Sequence, residues 1–266
     1  MSALKKKYGH MALIAGASEG LGAAFSDYLA HAGFDLVLVA RRQELLQSFA
    51  LSMQEKYHTR VSAVCCDLSS ADASDQLMCS VDASEIDVLV YNAALSFIGP
   101  FESDSPEHII KIATTNMITP LKLVRVVGEE MLKKGRGAVI LMSSLAGFQG
   151  SGFLSAYAAT KAFNRILAES LWYEWRHKGV DVIACCAGAT ATNNYKLTNP
   201  GKTGLLSPSV QTPEQVVKEC FAELGKKPSV VTGYGNRVAN FLMQRLIPRK
   251  TAVRIMGDTT RKIYRI

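Results

Sequence analysis

Seven short apolar runs recur along the chain, and most of them are apolar at successive positions, which means on both faces of a strand. They are HMALIAG (10–16), DLVLVA (35–40), RVSAVCC (60–66), IDVLVY (86–91), GAVILMS (137–143), VDVIACCA (180–187) and SVVTG (229–233). Between them lie longer stretches with helical periodicity, at about 21–32, 42–57, 71–81, 106–133, 153–178 and 213–225. A strand with two apolar faces needs a cover on each, and a strand that follows a crossover helix runs parallel to the one before it. Right-handed crossovers then dictate the fold class: an α/β, Rossmann-type doubly wound, mainly parallel seven-stranded sheet with helices on both faces. The ligand crevice of such a sheet lies at the C-terminal ends of its strands.

A length of 266 residues suits one core of this kind. The expected organisation is a single catalytic domain over 1–235 and a basic helical extension over 236–266. Ser105-Pro106 and Thr212-Pro213 each read as an N-cap followed by proline at the first helical position. The stretch 188–212 is rich in Gly, Pro, Asn, Thr and Ser and lacks periodicity. A loop of that length in a compact domain reads as a substrate lid.

The net charge of +7 sits in the extension. Arg237, Arg245, Arg249, Lys250, Arg254, Arg261, Lys262 and Arg265 face one acid, Asp258, which leaves 22 basic and 22 acidic residues elsewhere. A neutral body predicts no nucleic-acid partner. Six cysteines without a C-x-x-C pair, two sets of them adjacent (Cys65-Cys66 and Cys185-Cys186), read as small buried hydrophobes of a reduced, cytoplasmic protein. The scattered histidines offer no ligand spacing, so no metal is expected.

Two motifs carry chemistry. GASEGLG (16–22) follows the first strand and opens the first helix. Its glycines permit close backbone approach to a pyrophosphate, and the helix start supplies free N–H groups. The second strand ends in Val39-Ala40-Arg41-Arg42, without the carboxylate that would take a ribose 2′-hydroxyl. Guanidinium groups suit a 2′-phosphate instead, which points to NADP(H) although Glu19 lies near the same phosphate. The second motif is AYAATKAF (156–163). Tyr157 and Lys161 stand one turn apart on one helical face, a phenol beside a cation.

With Asp67-Leu68 after the third strand, Asn92-Ala93 after the fourth, Asn116, Ser144 and Tyr157-x-x-x-Lys161 in this order, the chain resembles the short-chain dehydrogenase/reductase family over about residues 10–235. The whole-chain pattern is similar to bacterial members and to long-chain oxoacyl and hydroxysteroid reductases. The resemblance implies Asn116, Ser144, Tyr157 and Lys161 as catalytic residues. It implies a cofactor site of Gly16, Ser18, Glu19, Gly20, Leu21, Gly22, Arg41, Arg42, Asp67, Leu68, Asn92, Ala93, Ala94, Tyr157, Lys161, Gly188, Thr190 and Thr192. There are departures from the family pattern: Ala15 before the first glycine, Tyr91 and Ala94 around Asn92-Ala93, and Ala187 before Gly188.

Ketone reduction needs a hydride on carbon and a proton on oxygen. A free phenol has a pKa of about 10, and two cations, Lys161 and an oxidised nicotinamide, are expected to lower that of Tyr157. Ser144 is expected to hydrogen-bond the substrate oxygen. Asn116 has Pro120 four residues on, so its carbonyl loses the usual helical donor and is free to hold a water. The activity expected is hydride transfer between NADP(H) and a carbonyl or secondary alcohol, and the alternative is a non-catalytic NADP-binding sensor or scaffold on the same fold.

Leu95, Phe97, Ile98, Phe148, Phe153, Leu154, Tyr195, Leu197, Leu205 and Leu206 are the expected pocket walls, apolar enough for a steroid, fatty-acyl or aromatic ketone. Phe163, Ile166, Leu167, Leu171 and Trp175 exceed one sheet-facing stripe, which suggests a homodimer or homotetramer through the helices at 106–133 and 153–178. In the extension, Val238, Phe241, Leu242 and Leu246 share one helical face, and Pro248 is expected to end that helix. Three readings stand for the segment: a helix packed on the body, a peripheral membrane contact, or a flap over the substrate mouth with its arginines on an acidic group such as an acyl-CoA phosphate.

Overall fold

The computed structural model describes residues 2–198 and 210–266. Its seven strands are β1 (Met11–Ala15), β2 (Asp35–Ala40), β3 (Val61–Cys65), β4 (Val88–Tyr91), β5 (Gly137–Ser144), β6 (Val180–Ala187) and β7 (Ser229–Val231). All pairings are parallel, in the order β3-β2-β1-β4-β5-β6-β7. The doubly wound sheet anticipated from the apolar runs is present, and its order reverses between β1 and β4. That reversal opens the crevice where the phosphate loop and Asn92 meet.

Successive strand residues feed two separate cores. Ile14, Leu38, Val90, Ile140 and Ile183 pack under α2 (Gly20–His31), α3 (Gln43–Tyr57) and α9 (Pro213–Glu223). Leu13, Val37, Leu89, Val139 and Val182 pack under α4 (Ala73–Ser80), α6 (Thr119–Lys134) and α7 (Ser155–Trp175). Cys185 and Cys186 fall on opposite faces and are both buried, as their adjacency implies. Cys65 and Cys79 depart from the sequence reading: both are exposed. Cys65 ends an edge strand whose outward positions have no neighbouring strand to cover them.

The expected caps form. Ser105 accepts from the His108 amide at 3.1 Å ahead of α5 (Pro106–Ala113), and Thr212 and Gln215 close a reciprocal capping box. The single helix read over 106–133 is instead interrupted. Residues Thr114–Ile118 widen into a π-helical turn, with the Thr119 amide reaching back to the Thr114 carbonyl. Pro120 has no N–H for the Asn116 carbonyl, so the ladder skips a residue there.

The ends add helices that the apolar runs did not announce. Helix α1 (Ala3–Tyr8) is capped by Ser2 and buries Tyr8, whose hydroxyl donates to Asp181 at 2.8 Å. After the short α8 (Asn193–Leu197), the C-terminal segment forms α10 (Tyr234–Arg245) and α11 (Arg249–Tyr264). Helix α10 stops at Arg245, and Pro248 serves as the N-cap of α11.

Gly22 marks the tightest helix–sheet approach. A Cβ there would lie 1.8 Å from the Gly16 carbonyl oxygen and 2.9 Å from Asn92 Nδ2. Gly22→Ala is therefore expected to lower the stability of the cofactor-free protein by about 1–3 kcal/mol through overpacking, more than the up to about 1 kcal/mol gained in helix propensity. A denaturant titration measures the difference.

Candidate active site

A cavity of about 830 Å³ runs along the C-terminal edge of the sheet. Its walls collect Gly16, Ser18, Glu19, Gly20, Leu21, Arg41, Arg42, Asp67, Leu68, Asn92, Ala93 and Ala94 at one end, with Gly188, Thr190 and Thr192 alongside. Ser144, Tyr157 and Lys161 stand further in. Of the catalytic and cofactor-site residues anticipated from the sequence, Gly22 and Asn116 are not in the wall, and each lies immediately behind it.

The nucleotide end is preformed. Gly16 and Gly20 hold φ of +82° and +58°, the left-handed region that glycine tolerates. Asn92 Nδ2 donates to the Gly16 carbonyl at 2.9 Å, locking the loop to the end of β4. A Cβ on Gly16 would meet the Ala93 amide nitrogen at 2.7 Å, and one on Gly20 would touch Thr192. Asp67 accepts from the amide and hydroxyl of Ser69, which holds its carboxyl below the usual range. Arg42 pairs with Glu19 at 2.6 Å. That pairing cancels the acid near the phosphate and leaves Arg41 as the wall guanidinium with no ion pair among the described residues. The cradle, the helix start and Arg41 together fit a dinucleotide.

At the reacting end, α7 is stapled to the end of β5. Lys161 Nζ donates to the Met142 carbonyl at 2.9 Å, and Ser143 Oγ donates to the Lys161 carbonyl at 2.7 Å. Ser143 thus turns toward α7. Its neighbour Ser144 caps the turn that follows β5, accepting from the Ala146 amide at 3.2 Å, and its side chain lines the cavity. Lys161 is buried, and burial pulls its pKa down to about 8. Its ammonium lies 5.5 Å from the centre of the Tyr157 ring.

The part of the expected lowering that Lys161 alone would supply is not found among the groups acting on the phenol. Burial pushes the Tyr157 pKa up, the Ser144 hydroxyl pulls it back, and Tyr264 adds to the rise. Lys161 directs its ammonium at the Met142 carbonyl.

The role expected of Asn116 rests on its main-chain carbonyl, and its side chain has separate work. It is fully buried, and its side chain is spent on structure: Oδ1 accepts from the Leu95 amide at 2.8 Å, and Nδ2 donates to the Leu95 carbonyl and to Thr160 Oγ1, each at 2.9 Å. Thr160 Oγ1 in turn donates to the Tyr157 carbonyl at 2.8 Å. Asn116 therefore ties the Leu95 wall to the helix that carries Tyr157. Its neighbour Thr115 lines the cavity instead, with a buried hydroxyl that has no hydrogen-bond partner among the described residues. The Thr115 carbonyl accepts from the hydroxyl of Tyr91, the residue that departs from the family pattern.

Leu95, Ile98, Leu154 and Tyr195 line the cavity as anticipated. Phe97, Phe148, Phe153 and Leu197 do not, and Leu205 and Leu206 lie outside the described residues, as do the other positions of the expected lid between 199 and 209. Their place is taken by residues the sequence did not single out. Asn236, Ala239, Asn240 and Met243 come from α10, and Ile255, Met256, Thr259, Thr260, Ile263 and Tyr264 from α11. None of the eight C-terminal cations is in the wall, so the flap reading holds for the helices and not for their arginines.

The C-terminal helices are clamped to the segment that joins Ser144 to Tyr157. Arg249 donates to the Phe148 carbonyl at 2.8 Å, and Gln244 to Gln149 at 2.6 Å. Gly152 packs on Gly257, and the Arg261 guanidinium sits 5.2 Å from the Phe153 ring. Phe153 holds a φ of +65°, a strained value for a residue with a Cβ. At the base of the extension, Glu219 binds Gln211, the Gly233 amide and Arg237, while Asn236 abuts Gly188.

The family model for short chain dehydrogenases matches residues 10–203. The chain belongs to the short-chain dehydrogenase family. It is 32% identical to a 7beta-hydroxysteroid dehydrogenase of Mediterraneibacter gnavus over 238 residues, covering 89% of this chain and 90% of that one. A solved 7beta-hydroxysteroid dehydrogenase superposes with a TM-score of 0.89 at 30% identity, over 96% of this chain and 99% of the other. A short-chain dehydrogenase from Sphingobium yanoikuyae, solved in complex with NADPH, gives a TM-score of 0.74 at 28% identity over 84% and 87% of the two chains. Members of this dehydrogenase family carry out NAD(P)-dependent oxidoreduction between carbonyl and alcohol, and that reaction class applies here.

The buried lysine makes a pH prediction. With a folded pKa of about 8 and an unfolded value of about 10.4, the unfolded chain binds more protons between those limits, so stability due to this group rises with pH there. At neutral pH the native state carries the cost of a buried cation. The melting temperature of a cofactor-free Lys161→Met variant, relative to wild type, is expected to be highest near pH 7 and to fall steadily toward pH 10 as that cost disappears from wild type. A difference independent of pH overturns the assignment.

Proposed function

We propose that this short-chain dehydrogenase is an NADP(H)-dependent reductase of a ketone carried on a lipophilic, steroid-sized body, acting in reverse as a secondary-alcohol dehydrogenase. One observation carries the reading: a single cavity joins a glycine-cradled nucleotide end, with Arg41 in its wall, to Ser144 and Tyr157, and continues beneath Leu95, Ile98, Leu154, Met243, Ile255 and Ile263. The names of the relatives support the substrate class, and the NADPH-bound relative supports the cofactor.

In this reading NADP(H) supplies or accepts the hydride. The phosphate loop and the start of α2 receive the pyrophosphate. Arg41 takes the 2′-phosphate, with Glu19 neutralised by Arg42. Tyr157 donates the proton to the ketone oxygen, and its raised pKa keeps it protonated until the transfer. Ser144 donates a hydrogen bond to the same oxygen as charge develops there. Lys161, cationic below about pH 8, offsets the phenolate that remains once the proton has left. Asn116 acts through structure, holding the Leu95 wall and the Tyr157 turn in register. The half-exposed Ile166 and the exposed Ile110 and Tyr173 on α5 and α7 support assembly into a homo-oligomer through those helices.

Oxidation of NADPH followed by its absorbance, over a panel of steroid, fatty-acyl and aromatic ketones, tests the substrate class; no turnover on any lipophilic ketone refutes it. Tyr157→Phe is expected to cost at least about a hundredfold in turnover while NADPH affinity stays within a few fold, because the ring still packs and only the proton is lost. Arg41→Asp is expected to shift the preference from NADPH to NADH, read as the ratio of kcat/KM for the two nucleotides. A wild-type protein that prefers NADH overturns the cofactor assignment.

A further inference from the structure

Helix α10 is mounted inside out. Its polar residues face the protein: Asn236 is buried with its amide on the Thr232 carbonyl at 2.9 Å, and Gln244 bonds Gln149. Its apolar residues face solvent, with Tyr234 77%, Val238 43%, Phe241 57%, Leu242 42% and Leu246 66% exposed. On a helical projection these five span a continuous arc that also contains Arg245. A helix packed on a body in water buries such an arc, so this one is made to meet something else.

Charge selects the partner. Of the eight cations in the segment, only Arg237 has a carboxylate within ion-pair distance among the described residues, on Glu219. Arg245 within the arc, and Lys250 and Arg254 on the adjoining turns of α11, are exposed and carry no such partner there. A second copy docked by two-fold symmetry would set this cationic patch against itself and strip it of water. A surface that offers negative charge outside and hydrocarbon beneath satisfies both halves of the patch. Among the described residues no helix is long and apolar enough to cross a membrane, so contact of this kind stays at the interface.

We propose that the outer arc of α10, with the neighbouring cations of α11, is a peripheral docking face for an anionic lipid bilayer. The inner side of the same helix places Asn236, Ala239, Asn240 and Met243 in the cavity wall. Docking therefore sets this wall of the cavity about one helix diameter from the lipid, where a lipophilic compound is concentrated. The inference stands on exposure and charge and does not depend on which ketone is reduced.

Vesicle co-sedimentation tests it, with phosphatidylcholine vesicles against vesicles of mixed phosphatidylcholine and phosphatidylglycerol. Wild type is expected to pellet with the anionic vesicles only, and less so as salt rises. The double variant Phe241→Glu/Leu246→Glu is expected to lose at least about tenfold in partitioning, since it removes two apolar anchors from the interface. Its melting temperature and its sedimentation coefficient without vesicles are expected to match wild type. Wild type remaining in the supernatant with anionic vesicles overturns the proposal. So does binding indifferent to the double variant, which would place adsorption elsewhere. A fall in oligomeric state of the variant without vesicles also overturns it, by assigning the arc to contact between copies.

Discussion

A buried ammonium organises the reacting half of this molecule. Lys161 gives up water for the Met142 carbonyl, and Ser143 binds the carbonyl of the same lysine from the same strand end. An isolated buried cation is expensive, so the lysine tolerates its place only because donor and acceptor are both fixed there. The two bonds fasten α7 to the end of β5 and thereby set Tyr157 against Ser144. The staple leaves the ammonium aimed at backbone. Burial pushes the Tyr157 pKa up, which favours the protonated phenol.

The nucleotide half rests on a different constraint, the absence of side chains. Gly22 lets α2 approach β1 until the helix touches the Gly16 carbonyl, and Asn92 closes the same contact from β4. These are features a one-dimensional reading handles well. Glycine spacing, apolar runs and proline-marked caps report local backbone demands, and the sheet, its two cores and the caps at Ser105 and Thr212 were legible for that reason.

What escaped the sequence depends on the direction a residue faces once the chain has closed. Asn116 matches the family position, yet nothing in TTNMITP says that its side chain will be consumed by Leu95 and Thr160. The periodicity of α10 defines an apolar arc correctly and is silent on whether that arc meets protein or solvent. The pocket walls were sought among large apolar residues near the strand ends, but the cavity recruits Thr259, Thr260 and Tyr264 from far along the chain. Phe153 shows a further blind spot, since no composition rule assigns a left-handed backbone to phenylalanine. Such a conformation persists where surrounding contacts over-determine it, here the Arg261 stack and the Gly99 amide on its carbonyl.

The clamp between the C-terminal helices and residues 148–153 has a consequence for biosynthesis. Its hydrogen bonds join positions 95 and 101 residues apart, long after every strand of the sheet has been made. Contacts of such separation are late to form and early to open, because loop closure must precede any gain from them. A nascent chain that has already paired its strands still presents an unroofed cavity to its surroundings. Closure of the cavity therefore arrives in a single late event, when α11 emerges and settles over the segment before Tyr157.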